Sequence, residues 1–273
     1  MENLLRENRG LAWKQILSLR QYGTIVEYEF LALWQTKVQL FNSLVWLPIL
    51  NPLLFGAGIG SFAPKNSDIF GTTHYLAFIF PGMVGLGFFR TFYQVIYRLT
   101  MDRRYGLQGL KIGTGVGVLS YILGNITLPS IMAVLQALVT MVVLIMLSTP
   151  IGSISNVVLM LGVGIISTWF WSVLAILISF SFKNYTQRDM FISLATLPLT
   201  LSSPAFYPLE NAPKYLQILS LFNPLTYNIV ALREAFLYGK FSNAFLFTAL
   251  LTLLLLVWAT ALISKKEFVG SHA

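Results

Sequence analysis

SSPAFYPLENAPKYLQILSLFNPLTYNIVALREAF, Ser202 to Phe236, lies between two long apolar segments of a 273-residue chain. It holds too many prolines and polar residues for an ordinary membrane span, and too many apolar ones for a solvated loop. Irregular backbone is tolerated at membrane depth only where protein or a water-filled cavity satisfies its polar groups. The stretch therefore reads as a re-entrant segment that dips into one face of a bilayer and returns.

Working outward, the rest of the chain supports a membrane setting. Hydrophobic residues make up 56% and charged residues 10%, against roughly 25% charged in soluble domains. Apolar runs of about 18 residues or more predict transmembrane helices, at about 39–61, 75–98, 116–148, 154–182, 189–203 and 243–263. The expected fold is an all-α integral membrane protein of six helices. It divides into a cytoplasmic N-terminus and interface helix (1–38), a single transmembrane domain (39–264) and a short tail (265–273).

Charge sets the expected orientation. Lys and Arg gather before the first span (Arg6, Arg9, Lys14, Arg20, Lys37), between spans two and three (Arg98, Arg103, Arg104, Lys111), between four and five (Lys183, Arg188) and after six (Lys265, Lys266). The alternate loops are poorer in them, which places both termini in the cytoplasm. The same distribution accounts for the net charge of +8 without nucleic acid. The start of the chain lacks a short apolar core followed by a small-residue cleavage site, so no cleaved signal peptide is expected. Zero cysteines exclude disulfides and thiolate chemistry, and no metal-ligating cluster is read.

Residues 24–41 predict an amphipathic helix. Val26, Phe30, Leu33, Trp34 and Phe41 share one side, with Glu29, Gln35, Thr36 and Gln39 on the other. It either lies along the cytoplasmic interface with Trp34 at headgroup level or simply leads into span one. Gly56 and Gly60 fit a GxxxG spacing, for helix pairing between chains or for close packing within one. In span two, Pro81 and Gly82 are expected to break the outer third. Arg90 sits about 12 Å along the helix from Arg98, far from the headgroups. An ionisable residue at that depth marks a functional site by default: Arg90 either binds an anionic headgroup or phosphate, or pairs with carbonyls or hydroxyls across an interface. Phe80, Pro81 and Arg90 are the candidate path residues.

The loop RLTMDRRYGLQGLKIGTGVG, Arg98 to Gly117, is expected to carry a short polar helix starting at Asp102, Arg103 and Arg104. It is either a handle for a soluble partner or a solvated loop. Its glycines do not make a phosphate loop, which needs G-x-x-x-x-G-K-[ST] between strand and helix. His74 reads as interfacial or, alternatively, as a proton switch.

These residues together resemble the ABC-2 type permeases, the six-span membrane subunits of ATP-binding-cassette exporters. The resemblance spans nearly the whole chain. Its most specific part is the block 207–236, with Pro208, Pro213, Asn223, Pro224, Leu225, Thr226 and Arg233; Phe80 to Met83 is the second matching stretch. The resemblance implies that Asp102, Arg103, Arg104, Gly106, Leu107 and Leu110 belong to a helix seated in an ATPase groove. It also implies that Glu29, Phe30 and Trp34 lie on an interface helix touching that ATPase, and that Pro204, Pro208, Pro213, Asn223, Pro224 and Arg233 form an outer gate. The implied function is export of a lipid-linked, glycan or amphipathic drug-like substrate across the cell (inner) membrane. The chain itself would not be an enzyme and would hold no cofactor. ATP and Mg would sit in two copies of a separate ATPase subunit, beside a second permease copy, read as a homodimer, and membrane lipids. A secondary transporter or channel would need mid-membrane carboxylates or His, and an intramembrane enzyme a nucleophile beside its base; neither pattern is present.

Overall fold

A computed structural model describes residues 19–35, 37–54, 75–107, 116–147, 153–182 and 184–270, with backbone alone at 39 and from 265 on. The helices are α1 (Leu19–Gln35), α2 (Lys37–Phe41), α3 (Leu47–Asn51), α4 (Tyr75–Arg104), α5 (Val118–Met146), α6 (Ile154–Ser179), α7 (Tyr185–Leu201), α8 (Lys214–Phe222), α9 (Pro224–Tyr238) and α10 (Asn243–Gly270). A π-helical turn, Asn42–Trp46, joins α2 to α3. Among the described residues four helices are long and apolar enough to cross a membrane: α4, α5, α6 and the Asn243–Ser264 part of α10. The described residues form helices without strands, and the protein is a multi-pass membrane protein.

The two remaining predicted spans look different. The first is a continuous helical run over 37–54 with a π turn inside it and Pro48 and Pro52 along it, whose apolar part Asn42–Leu54 is too short to count as a crossing among the described residues; Gly56, Gly60, Lys65, Asp68 and His74 lie outside the described residues. The fifth becomes α7, 17 residues or about 25 Å long, just under the ~30 Å hydrocarbon thickness.

α6 is the hub, packed against α4, α5, α9 and α10. Close approach to α4 depends on Gly164, where a Cβ would stand 2.3 Å from the Phe88 ring. One turn or two further on, Trp171 meets Phe89 edge-on at 4.5 Å and Phe92 at 5.7 Å between ring centroids. Interlocked aromatic edges of this kind add to plain burial and fix the helix register.

Three expectations change. Pro81 does not break its span: α4 is one helix of 30 residues. Asp102, Arg103 and Arg104 form the last turn of α4 rather than the first of a new helix, where Arg103 and Arg104 suit the negative end of its dipole. α10 stays helical through Lys265 and Lys266 to Gly270, beyond its apolar part, which ends at Ser264. Finally, Glu29 does not stay on an exposed polar side of α1: it is fully buried, while Gln35 on the same side is exposed; Phe30 and Trp34 are exposed and stack on each other. In a bilayer exposed apolar side chains can face lipid, whereas a carboxylate needs cover from the protein. α1 packs along α5, with Tyr22 bonded to Thr127 at 2.9 Å, Gln21 accepting from the Gly117 N–H at 3.1 Å, and Ile25 against Gly124.

Segment 202–206 presses on the start of α4. A Cβ at Gly82 would fall 2.2 Å from the carbonyl oxygen of Ala205, a backbone atom that cannot rotate away. Gly82→Val is therefore expected to cost about 2–3 kcal/mol through overpacking. Thermal unfolding in detergent checks this, with Gly162→Ala as the control because nothing lies near a Cβ there.

Candidate functional site

The functional candidates fall at the two ends of α4 and on one stripe between them. At its C-terminal, basic end, Arg98 and Glu29 form an ion pair between α4 and α1. Asp102, one helical turn beyond Arg98, is buried and acts electrostatically on the same guanidinium. Arg103 donates to the Ser179 carbonyl at 2.8 Å, at the end of α6, and covers the Phe180 ring at 4.8 Å. Arg188 is buried between the rings of Tyr97, 4.4 Å, and Tyr185, 4.9 Å, and pairs with Asp189 at 2.8 Å.

Beyond those contacts lies a small exposed knuckle, tied to α7 by Arg104, whose guanidinium covers the Tyr185 ring at 4.5 Å. Arg104, Tyr105 and Gly106 are exposed and Leu107 is half-buried. Tyr105 donates its N–H to the Met101 carbonyl and Gly106 to that of Arg103, and Gly106 adopts φ +68°, a left-handed stop that favours glycine. Leu110 lies outside the described residues. Of the six residues expected to meet a partner, Asp102 and Arg103 thus serve the bundle, while Arg104, Gly106 and Leu107 stand at its surface beside Tyr105.

Between residues 77 and 97 of α4, Leu86, Gly87, Arg90, Tyr93, Gln94 and Tyr97 recur at helical spacing as the residues that are not buried, one incompletely covered stripe. Gln136 of α5 brings its carbonyl oxygen near Gly87. Phe80 and Pro81 are off this stripe: both are buried, Phe80 edge-on to Phe236 at 4.9 Å. Of the three candidate path residues, Arg90 alone keeps an open side.

At the opposite, proline-rich end the predicted block forms a knot. Asn223 caps α9, its Oδ1 accepting from the Leu225 N–H at 2.9 Å, with Pro224 at the first helical position. Its amide nitrogen donates to the Leu199 carbonyl at 2.7 Å and to Ser202 Oγ at 2.9 Å. One side chain thereby joins the end of α7 to the start of α9. Arg233 donates to the Pro204 carbonyl at 2.6 Å and to the Phe78 carbonyl at 3.4 Å, and lies 3.9 Å over the Phe78 ring. Phe78 sits in the turn before Pro81, next to Ala77, whose carbonyl loses its usual helical donor to the proline. Pro204 is buried, Pro208 half-buried, and Pro213 precedes α8.

Asn223→Ala removes a cap, about 1 kcal/mol, and strands a buried carbonyl, at about 1–3 kcal/mol. A loss of about 2–4 kcal/mol is expected by thermal unfolding, with Asn223→Asp keeping the cap and recovering only that part.

Sequence reasoning missed several members. Arg98 was counted only as a loop charge, although Glu29 follows Ile25 by four residues and so shares its buried side. The bond from Ser167 to Asn228, 2.5 Å, ties α6 to α9, and Asn156 donates to the Phe236 carbonyl at 3.1 Å; lone polar residues in apolar helices were the available signal.

Residues 20–237 match a protein family described as ABC-2 type transporter. Among curated proteins, the chain is 26% identical over 217 residues to a transport permease, ycf38, of Porphyra purpurea, covering 79% of this chain and 73% of that one. It is 25% identical over 248 residues to the ycf38 protein of Cyanophora paradoxa, covering 88% and 82%, and 28% identical over 224 residues to that of Pyropia yezoensis, covering 81% and 75%.

Proposed function

The chain belongs to the ABC-2 type transporter family and is a membrane-spanning permease subunit; from that premise we propose that it exports an amphipathic substrate with ATP hydrolysed in a separate subunit. Two copies of that ATPase, loaded with ATP and Mg, act on a pair of permease chains, taken as identical, in the cell (inner) membrane. α7 and the 39–61 segment complete six crossings, with both termini cytoplasmic and the basic end facing the ATPase.

The observation that supports this best is the continuity of α4. Thirty residues at 1.5 Å each make a rod of about 45 Å whose basic end carries the exposed knuckle 104–107. Its other end carries Phe78 and Gly82, which touch Arg233 and Ala205. Force applied at the knuckle reaches the proline-rich knot through one rigid helix, without a loop to absorb it. The ion pair with Glu29 makes α1 move with the same rod. An ATPase that binds the two conformations of the permease unequally then shifts the population between them.

The knot at the outer end is the gate, and lipid-linked, glycan and drug-like substrates all remain within this reading. A secondary carrier or channel has less support, because it would need a coupling-ion site.

Affinity purification from native membranes, with mass spectrometry of what stays bound, tests the proposal. A soluble chain with a phosphate-binding loop should co-purify in equal copy number and be lost when Arg104, Tyr105 and Leu107 are replaced by Ala. Retention of that chain in the triple variant would reject the knuckle as the contact; its consistent absence would reject the exporter reading.

A further inference from the structure

We propose that Arg90 is an anion-recognition residue, and that its ligand is the phosphate group of an amphiphile rather than any carboxylate of the protein. The proposal deepens the permease reading by assigning a chemical class to what occupies the open stripe of α4.

Three observations carry it. First, Arg90 forms no hydrogen bond, ion pair or ring contact with any described residue, in contrast to Arg98, Arg103, Arg188 and Arg233, each of which has a named partner. Second, it lies fifteen residues from the start of α4 and eight before Arg98, about 12 Å along the helix and inside the span. A guanidinium there costs several kcal/mol unless something answers its charge or water reaches it. Third, none of the acids among the described residues is placed to answer it. The sequence has ten Asp and Glu residues. Asp102 ends α4, Asp189 is in the first turn of α7, Glu210 is in the turn before α8, and Glu234 follows Arg233. Glu29 is paired with Arg98, Glu27 is exposed on α1, and Glu2, Glu7, Asp68 and Glu267 fall outside the apolar core of the predicted spans.

The third observation has a consequence for assembly. A second copy of the chain brings the same acids at the same positions, so a homodimer adds no mid-membrane carboxylate either. A ligand is then the source of the counter-charge that the described residues do not supply. The surroundings fit a phosphate: guanidinium forms bidentate bonds with it, and Tyr93 and Gln94 on the same stripe add a hydroxyl and an amide. Gly87, one turn before Arg90, leaves room for bulk, with nothing nearer than 3.9 Å to its Cβ position. The phosphate has two sources, a resident membrane phospholipid or the head of the transported molecule.

The test uses the full-length chain, purified with whatever subunit accompanies it, and water-soluble dioctanoyl phosphatidic acid and dioctanoyl phosphatidylcholine as probes. Wild type should bind phosphatidic acid, and Arg90→Gln should weaken that binding about tenfold or more, the loss expected for one charge-assisted pair. Arg90→Lys should fall between, since it keeps the charge without the fork. Melting temperatures establish that the variants are folded; should the Gln variant fail to fold, the Lys variant and the loss of binding with added inorganic pyrophosphate carry the decision.

Mass spectrometry before and after ATP addition separates the sources. A bound glycerophospholipid that survives turnover is resident, and a phosphate-bearing molecule released by ATP is cargo; each supports the assignment. Equal binding by wild type and Arg90→Gln, or a dimer that falls apart in the Gln variant with phosphate binding unchanged, overturns it. A missing ATPase partner alongside Arg90-dependent binding would sink the exporter reading and leave the phosphate site standing.

Discussion

Glu29→Ala is expected to destabilise the protein by about 3 kcal/mol, because it strips the ion-pair partner from Arg98. Breaking one side of a buried pair typically costs about 3–5 kcal/mol, since the surviving charge keeps its desolvation cost. Asp102, one turn beyond Arg98, remains to share that charge, which puts the loss at the lower end. At about 2–4 °C per kcal/mol for a chain of this size, thermal unfolding in detergent should fall by roughly 6–12 °C. Replacing both Glu29 and Arg98 by Met should recover most of this, as apolar substitutes for buried pairs often do. In the exporter reading the double variant has a second signature: α1 no longer moves with α4, so ATP turnover continues while transport falls. Recovery of both stability and transport would show that the pair is only a structural fastener.

The second large effect belongs to Arg233. Arg233→Met keeps much of the side-chain volume but removes the donors to Phe78 and Pro204 and the cation over the Phe78 ring. Hydrogen bonds from charged groups are worth about 1.5–3 kcal/mol, so a loss of about 3–4 kcal/mol is expected for the pair of bonds together. The damage should be local. Hydrogen exchange should rise in 202–206 and in the first two turns of α4, with the α6 core unchanged. Uniform loss of protection would mean that Arg233 supports the whole bundle rather than the knot. Arg233→Lys can satisfy one carbonyl but not both, and should give an intermediate result.

Much of this was legible in the residues. The block 202–236 announced its geometry because Pro and Asn have fixed local preferences: Asn223 followed by Pro224 is a helix start in any context, and the apolar lengths of α4, α5, α6 and α10 are read directly from hydropathy. What the sequence did not display were choices made by tertiary contact. Pro81 predicts a break from local sterics, yet α4 continues through it, and Arg233, 152 positions away, donates into the adjoining turn. Periodicity divides α1 into two sides without saying which one faces lipid, so Glu29 was placed outward when the bundle buries it. Asp102 to Arg104 mark a charged boundary equally well as a helix end or a helix start. The distinction rests on Ser179 and Phe180, which only the fold brings next to Arg103. Arg90, by contrast, was legible by depth alone, because no packing argument changes the cost of an unanswered charge.

The exporter account rests on a separate ATPase engaging the exposed end of α4. The most direct measurement uses the absence of native cysteine to place single reporters: Tyr105→Cys on the knuckle and Tyr215→Cys on α8, both of them exposed positions. After treatment of membranes with a short heterobifunctional cross-linker, the account predicts a covalent adduct between the Tyr105→Cys chain and an ATP-binding-cassette subunit, stronger or weaker with ATP present, and none from Tyr215→Cys. An adduct formed from Tyr215→Cys alone, or no ATPase adduct at Tyr105→Cys in membranes that contain the subunit, would contradict it.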